Sequence, residues 1–436
     1  MKKSLVVCLA LGMTAVLANE ANAKDFYVSV KRGKGKKATK KQPAKDLGNI
    51  VKKLKPGDTV HIAAGTYRGR GRDGSTIIKV PVRVMCGYSD DFSKRDPWGK
   101  HRTILSGDNK SKNWKQTWTL GIDLSKYRDK EMPDVVVDGC IIDNSGRNNY
   151  KTNKKYSIMR RATPTKGKMP TPDSPALMVR VSKTNNRSGH WNIVVKNNIV
   201  MNSGSRWPLS VSGYKNSKVR IENNCVISGS GGISFSTKYR PRDGKNIVKG
   251  VIRNNTVLFS WMYDSMTSNS SGYGLKCEAD TWSSVHNNVF GVSQYVAIDN
   301  TSRCKMSLRN NLIFGSRKAD YLEFNTMMAL ENMEDEADLL DDNSGGNISA
   351  APRIPVSKAF SKLMASVVIP DRAKIEAKIT PANSSANALR RIFGMPLQAG
   401  TIKGPNVPVW IPKVSVADAI RACGKRYKGK YGSKKP

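Results

Sequence analysis

Five short segments of this chain share one figure: two adjacent asparagines set between apolar residues. They read "VKNNIV" from Val195, "IENNCV" from Ile221, "IRNNTV" from Ile252, "VHNNVF" from Val285 and "LRNNLI" from Leu308. The pairs begin at Asn197, Asn223, Asn254, Asn287 and Asn310, at spacings of 26, 31, 33 and 23 residues. Asparagine favours turns over strands, so one copy would mark a loop. Repetition at this period marks one supersecondary unit per repeat, with connections of variable length. Aligned, the copies give constant columns. Two residues before each pair stand Val195, Ile221, Ile252, Val285 and Leu308; three after its start stand Val200, Val226, Val257, Phe290 and Ile313. Both columns are apolar. The residue just before each pair is polar: Lys196, Glu222, Arg253, His286 and Arg309.

The order inside, outside, turn, inside excludes leucine-rich and helical repeats, which need a leucine consensus or longer 3.6-residue periodicity. A parallel β-helix remains, each coil stacked about 4.8 Å above the last. At its turns one asparagine accepts the left-handed backbone conformation and another points inward, its amide bonding to the equivalent amide one coil away. "VVDGCI" at Val136 reads as an earlier coil with Asp-Gly at the turn, which places Cys140 and Cys225 in one column, too far apart to bridge. Cys277 and Cys304, about one coil apart, are the preferred disulfide pair. Leu47, Ile50, Val51 and Leu54 fall on one stripe of a short amphipathic helix, expected to cap the first coil.

Residues 1–23 read as a secretory signal: Lys2 and Lys3, an apolar run, then "ANA". Export to the periplasm or beyond follows, with no transmembrane segment expected. The division expected is thus 1–23 signal, 24–315 β-helix with its N-terminal cap, and 316–436 an acidic, partly helical insertion, last coils and a mobile basic tail. A formal charge of +40 favours polyanionic partners and says nothing of fold. For an exported protein these are acidic polysaccharide, lipopolysaccharide phosphates or extracellular DNA; no nucleic-acid recognition motif is present.

"KPGDTVHIAAGTYRG" and "VMCGYSDDFSKRDPWGKHRTILSGDN", with the asparagine coils and "GNISAAPRI", resemble secreted bacterial right-handed parallel β-helix proteins of the pectate-lyase-like superfamily, in particular a cell-surface subgroup. The resemblance covers most of the mature chain. It implies an all-β, right-handed, single-stranded parallel β-helix with an irregular C-terminal region. For function it implies a range, from lyases and hydrolases to adhesins and scaffolds.

In the lyase branches the resemblance implies a lysine or arginine on an outward strand face, removing the proton beside a uronate carboxylate. "LKCEADTWSSVHNNVF" resembles the lysine coil of the chondroitinase B and alginate lyase family. It singles out Lys276, with Arg253 and Arg303 as cationic neighbours. Solvated cations on a basic face are the competing reading. The paired carboxylates of a glycoside hydrolase are absent from any matching context. The four histidines are scattered, so no histidine metal site is indicated. The acidic cluster from Glu331 to Asp342 could hold calcium through oxygen ligands but lacks the loop spacing, and no cofactor is expected. The polar column supplies the main functional expectation. Lys196, Arg253, His286 and Arg309, with Trp261 and Trp282 to stack on sugar rings, would form a track for an extended acidic polymer.

Overall fold

The computed structural model describes residues 23–35, 37–69, 75–106, 118–127, 133–145, 150–151, 163–164, 175–181, 191–205, 207–237, 248–261, 271–278, 281–365, 385–397 and 413–436. The signal segment expected at 1–23 lies outside them but for Ala23.

Three nine-stranded sheets run the length of a parallel β-helix. Each central coil contributes one strand to each; at the last coil the third sheet ends instead in an antiparallel pair, Ala319–Glu323 with Thr326–Met328. In the coil of the second asparagine pair the three strands are Lys218–Glu222 in the first sheet, Cys225–Gly229 in the second and Ile233–Thr237 in the third. Neighbouring coils pair parallel and in register, so like positions stack into rows: Val195, Ile221, Ile252, Val285 and Leu308 form one continuous inward row. All five are fully buried.

The corner between the first and second sheets is the most regular part of the molecule. The first asparagine of every pair is left-handed, with φ from 52 to 57°. The second points inward and builds a ladder. Asn198, Asn224, Asn255, Asn288 and Asn311 each donate from Nδ2 to Oδ1 of the next asparagine at 2.9–3.1 Å, ending on Asn347. Each Oδ1 on the receiving side also accepts the backbone N–H of the rung before it. Five fully buried amides are thereby satisfied, where a single one would be costly. The sixth rung, Asn347, sits in "GNIS", where Gly346 takes the left-handed position.

The same corner corrects the reading of "VVDGCI". The register pairs Asp138 with Lys196 and Ile141 with Ile199, so Gly139, at φ +79°, fills the left-handed position rather than Asp138. Cys140 therefore stands in the ladder column, not in that of Cys225. Its backbone N–H donates to Asn198 Oδ1, and its sulfur is bonded to Cys86 one coil below. A disulfide ends the ladder where asparagine stops.

Cys225 is bonded to Cys423, while Cys277 and Cys304 are free and buried, contrary to expectation. Thr281 Oγ1 donates to Cys304 Sγ at 3.0 Å, and a contact with Cys304 together with burial pushes the Cys277 thiol up.

The second sheet reads as near-continuous apolar runs, such as "CVISG", "TVLFS" and "VFGVS", and its strands are buried on both faces. Its inward face joins the core. Its outward face, including Ile199, Ile227, Leu258, Phe259 and Val292, is covered by the C-terminal region through Phe360, Leu389, Ile392, Ile420 and Tyr431. The expectation of a mobile tail is overturned: Val416–Cys423 is a helix capped by Ser415, and Tyr427, Tyr431 and Ser433 are buried. The tail has an apolar sheet to cover and is not a loose end.

At the N-terminal end, two short 3-10 turns, Leu47–Asn49 and Val51–Lys53, replace the expected amphipathic helix. Leu47, Ile50 and Leu54 still plug the first coil. At the other end the coils continue past residue 315, with Ala319–Glu323 extending the third sheet and Ile348–Ser349 the second. The acidic segment is the second plug. Its helix Leu330–Glu336 buries Leu330 and Met333 against the core while its carboxylates face outward.

Candidate functional site

Strand alternation puts every second residue of the first sheet on its outer face, and the register sorts these into three rows. Beside the asparagine corner runs a row of Tyr27, His61, Met85, Asp138, Lys196, Glu222, Arg253, His286 and Arg309. The middle row is Val194, Arg220, Val251, Ser284 and Ser307; the far row is Asn192, Lys218, Lys249, Trp282 and Lys305. Rungs are about 4.8 Å apart. Lys218, Arg220, Lys249, Arg253, Lys305 and Arg309 are all exposed.

The corner row is not uniformly basic. Asp138, almost fully buried, takes Arg95 at 2.8 Å and Lys196 at 3.7 Å, and Glu222 takes Arg253 at 3.3 Å and Arg220 at 4.0 Å. Lys218, Lys249, Lys305 and Arg309 have no ion-pair partner among the described residues. They supply the excess charge of the face. His286 lies between Arg253 and Arg309; partial burial and those two cations hold its pKa below the usual histidine value, against the pull of Glu222.

Of the two tryptophans assigned to the track, only Trp282 lies on it, partly exposed between Lys249 and Lys305. Trp261 is a correction. It is 1% exposed, donates from Nε1 to Ser228 Oγ at 3.2 Å and packs under the C-terminal region, so it offers no ring to a ligand. The apolar run ahead of it, "TVLFS", signals a strand buried on both faces. Conversely, Lys218, Arg220, Lys249 and Lys305 escape a search confined to the column before each pair. Counting back two and four residues through "KVRIE", "VKGVIR" and "KMSLR" finds them.

Lys276, Arg253 and Arg303 do not converge. Arg253 faces out from the first sheet. Arg303 is at the corner joining third sheet to first, its guanidinium 5.4 Å from the Phe324 ring centre. Lys276 is on the outer face of the third sheet, in a row with Gly121, Met178, Ser210, Ser234 and Asp299. Its ammonium donates to Asp299 Oδ2 at 2.7 Å, and Asp299 Oδ1 accepts from the backbone and hydroxyl of Thr301. A second ion pair on this face, Arg180 with Asp123 at 2.8 Å, lies beside Trp118. Connections 144–176 and 261–274 enter the third sheet from the second, and 182–191 and 238–247 leave it for the first, while the asparagine corner admits no insertion from Gly139 to Asn311; below that stretch, 89–102 joins the first sheet to the second.

Among the described residues no group of three or more histidine, cysteine or acidic side chains is placed to hold a metal ion, and no helix is long and apolar enough to cross a membrane.

No protein-family model and no curated protein matches the chain. Among solved structures, the crystal structure of a GH136 lacto-N-biosidase from Eubacterium ramulus aligns over 78% of this chain and 69% of that one, at 10% identity and a TM-score of 0.22. At that distance it says nothing of what this chain binds.

Proposed function

We propose that the protein is an exported β-helix that binds acidic polymers, above all anionic polysaccharide, along the outer face of its first sheet, and that it belongs with the pectate-lyase-like β-helices its sequence resembles. The observation that carries this is the far row and its neighbours: Lys218, Lys249 and Lys305 in register on one strand face, Arg309 beside them, all exposed and without carboxylate partners among the described residues. Cations on a rigid lattice suit an extended polyanion, because the side chains are already arrayed and binding releases condensed counterions. Trp282, between two of the lysines, gives a sugar ring an apolar contact that phosphate backbones do not use.

The test is equilibrium binding to alginate, polygalacturonate and heparin across a salt series, with DNA and lipopolysaccharide as alternative ligands. Salt-sensitive binding to the polysaccharides, weakened by Lys218→Gln/Lys249→Gln/Lys305→Gln, is the expected result. No binding to any of the three at low salt removes the proposal, and preference for DNA moves it to a matrix or adhesive role.

A second reading, a lyase acting on uronate polymers, is favoured by the setting of Lys276, a buried lysine on a sheet with long connections, 144–176, 182–191, 238–247 and 261–274, at both of its edges. The 2.7 Å contact to Asp299 is one that an ammonium makes as a donor. To act as a base Lys276 would have to give up that partner when substrate arrives. Unsaturated product, followed by its ultraviolet absorbance, tests this class. Full activity in Lys276→Ala would remove the site.

A further inference from the structure

The left-handed corner position does not require asparagine. Gly139 and Gly346 occupy it in the coils on either side of the asparagine pairs. Where the side chain is present, three of the five first asparagines hold the C-terminal segment. Asn223 Nδ2 donates to Lys434 O at 2.9 Å while Lys434 N donates to Asn223 Oδ1 at 2.8 Å, a two-way clamp. Asn254 Nδ2 reaches Lys430 O at 3.5 Å, and Lys430 Nζ donates to Asn310 Oδ1 at 2.8 Å. Between these points Gly432 N donates to Asn287 O. Glycine is required there: φ is +82°, and a Cβ would stand 2.4 Å from Thr256 Oγ1. The segment therefore runs across the coils as a strap, touching residues each adjacent in sequence to a corner-row side chain: Glu222, Arg253, His286 and Arg309.

Residues 424–436, "GKRYKGKYGSKKP", carry six cations and no acid. Tyr427, Tyr431, Gly432 and Ser433 are buried and hold the strap, while Lys425, Lys428, Lys430, Lys434 and Lys435 are exposed. Apart from Lys430, whose ammonium bonds Asn310, the exposed lysines give no side-chain bond that fastens the strap among the described residues. Laying these lysines beside Arg253, His286 and Arg309 brings like charges together, a cost that only an anionic ligand relieves. The Cys225–Cys423 disulfide, next to the first strap residue, holds the strap in place against that repulsion.

We propose that this strap is a second cationic element of the polyanion-binding face, so that a bound polymer is gripped by the first sheet and by strap lysines drawn from the far end of the chain. The proposal rests on the reading of the first sheet given above. It assigns the half-buried first asparagines a role beyond turn geometry: they position the strap along the track.

The experiment compares the unaltered protein with Lys428→Gln/Lys434→Gln/Lys435→Gln and with the sheet variant Lys218→Gln/Lys249→Gln/Lys305→Gln, using heparin and polygalacturonate from low to high salt. Lys430 is left in place because it helps fasten the strap. The strap variant is expected to bind about ten- to a hundredfold more weakly at low salt, with the slope of log affinity on log salt reduced by about two. Its melting temperature should be unchanged or raised. Protection of Lys428 and Lys434 from acetylation by bound heparin reads the same contact in the unaltered protein, free of any folding defect. If the strap variant keeps the original slope and these lysines stay reactive while the sheet variant loses affinity, the strap has no such role and the sheet reading stands. If only the strap variant loses affinity, the polymer is held by the strap without the sheet, and the sheet reading fails together with the joint grip proposed here. Absence of binding by the unaltered protein overturns both.

Discussion

Replacing Asn255 by alanine separates the two members of a pair, because its neighbour Asn254 differs from it only in direction. Asn255 is fully buried. Its Oδ1 accepts from Asn224 N at 2.9 Å and Asn224 Nδ2 at 3.0 Å, and its Nδ2 donates to Ile221 O at 2.8 Å and Asn288 Oδ1 at 3.0 Å. Alanine leaves Asn288 Oδ1 one donor, the backbone N–H of residue 255, but leaves two donors on Asn224 with nothing to bond. A buried unsatisfied donor costs about 1–3 kcal/mol, so the loss should be about 4 kcal/mol. Asn254→Gly keeps the left-handed backbone without strain and gives up one long bond to the strap, a change of about 1 kcal/mol or less. Urea midpoints measure the difference, and hydrogen exchange locates it: the Asn224 amide should lose its protection in Asn255→Ala and keep it in Asn254→Gly. Equal midpoints, with the Asn224 amide still protected, would refute the ladder as a source of stability.

Three further outcomes are expected. Removing Cys225–Cys423, which closes a separation of 198 residues, should cost about 5 kcal/mol in the chain-entropy model against about 4 kcal/mol for Cys86–Cys140, at 54; a denaturation midpoint indifferent to reductant would contradict both pairings. Met333→Asp, which puts a charge against the open end of the core, should lower the melting temperature sharply, whereas Glu331→Gln on the outward side of the same helix should leave it within a degree or two. His286 has its native pKa depressed, so the unfolded chain takes up the proton first and stability should fall as pH drops below about 6.5. A bound polyanion favours the protonated ring, so affinity should rise over the same range, and His286→Gln should remove both slopes; a proton-uptake measurement on binding checks the sign.

The fold was legible because alternation and the asparagine pairs are local signals repeated until chance is excluded. The one-residue error at Asp138-Gly139 came from matching residue types, aspartate for asparagine, when the backbone needed φ above zero and only the glycine supplies it cheaply. The Cys225–Cys423 bond is set by how the C-terminal region folds back over the second sheet, and nothing near either cysteine encodes that. "CVISG" and its fellows did announce a sheet apolar on both faces, a sign that something must cover it. On the functional side, the corner row was legible one residue ahead of each pair. The far row, with most of the unpaired charge, was hidden by looking at a single column. Trp261 was misplaced because sequence proximity to a coil does not say which of three sheets a residue faces.

The ladder also decides where this molecule can change. An extra residue at the asparagine corner would push one amide out of line and leave donors in the coils on both sides without acceptors. That edge therefore behaves as a spine of fixed pitch. The other two corners carry no such chain of dependence, and both accept connections as long as 144–176 or 238–247. New binding chemistry can thus be added or exchanged around the third sheet, one loop at a time, while the cationic lattice on the first sheet keeps its spacing.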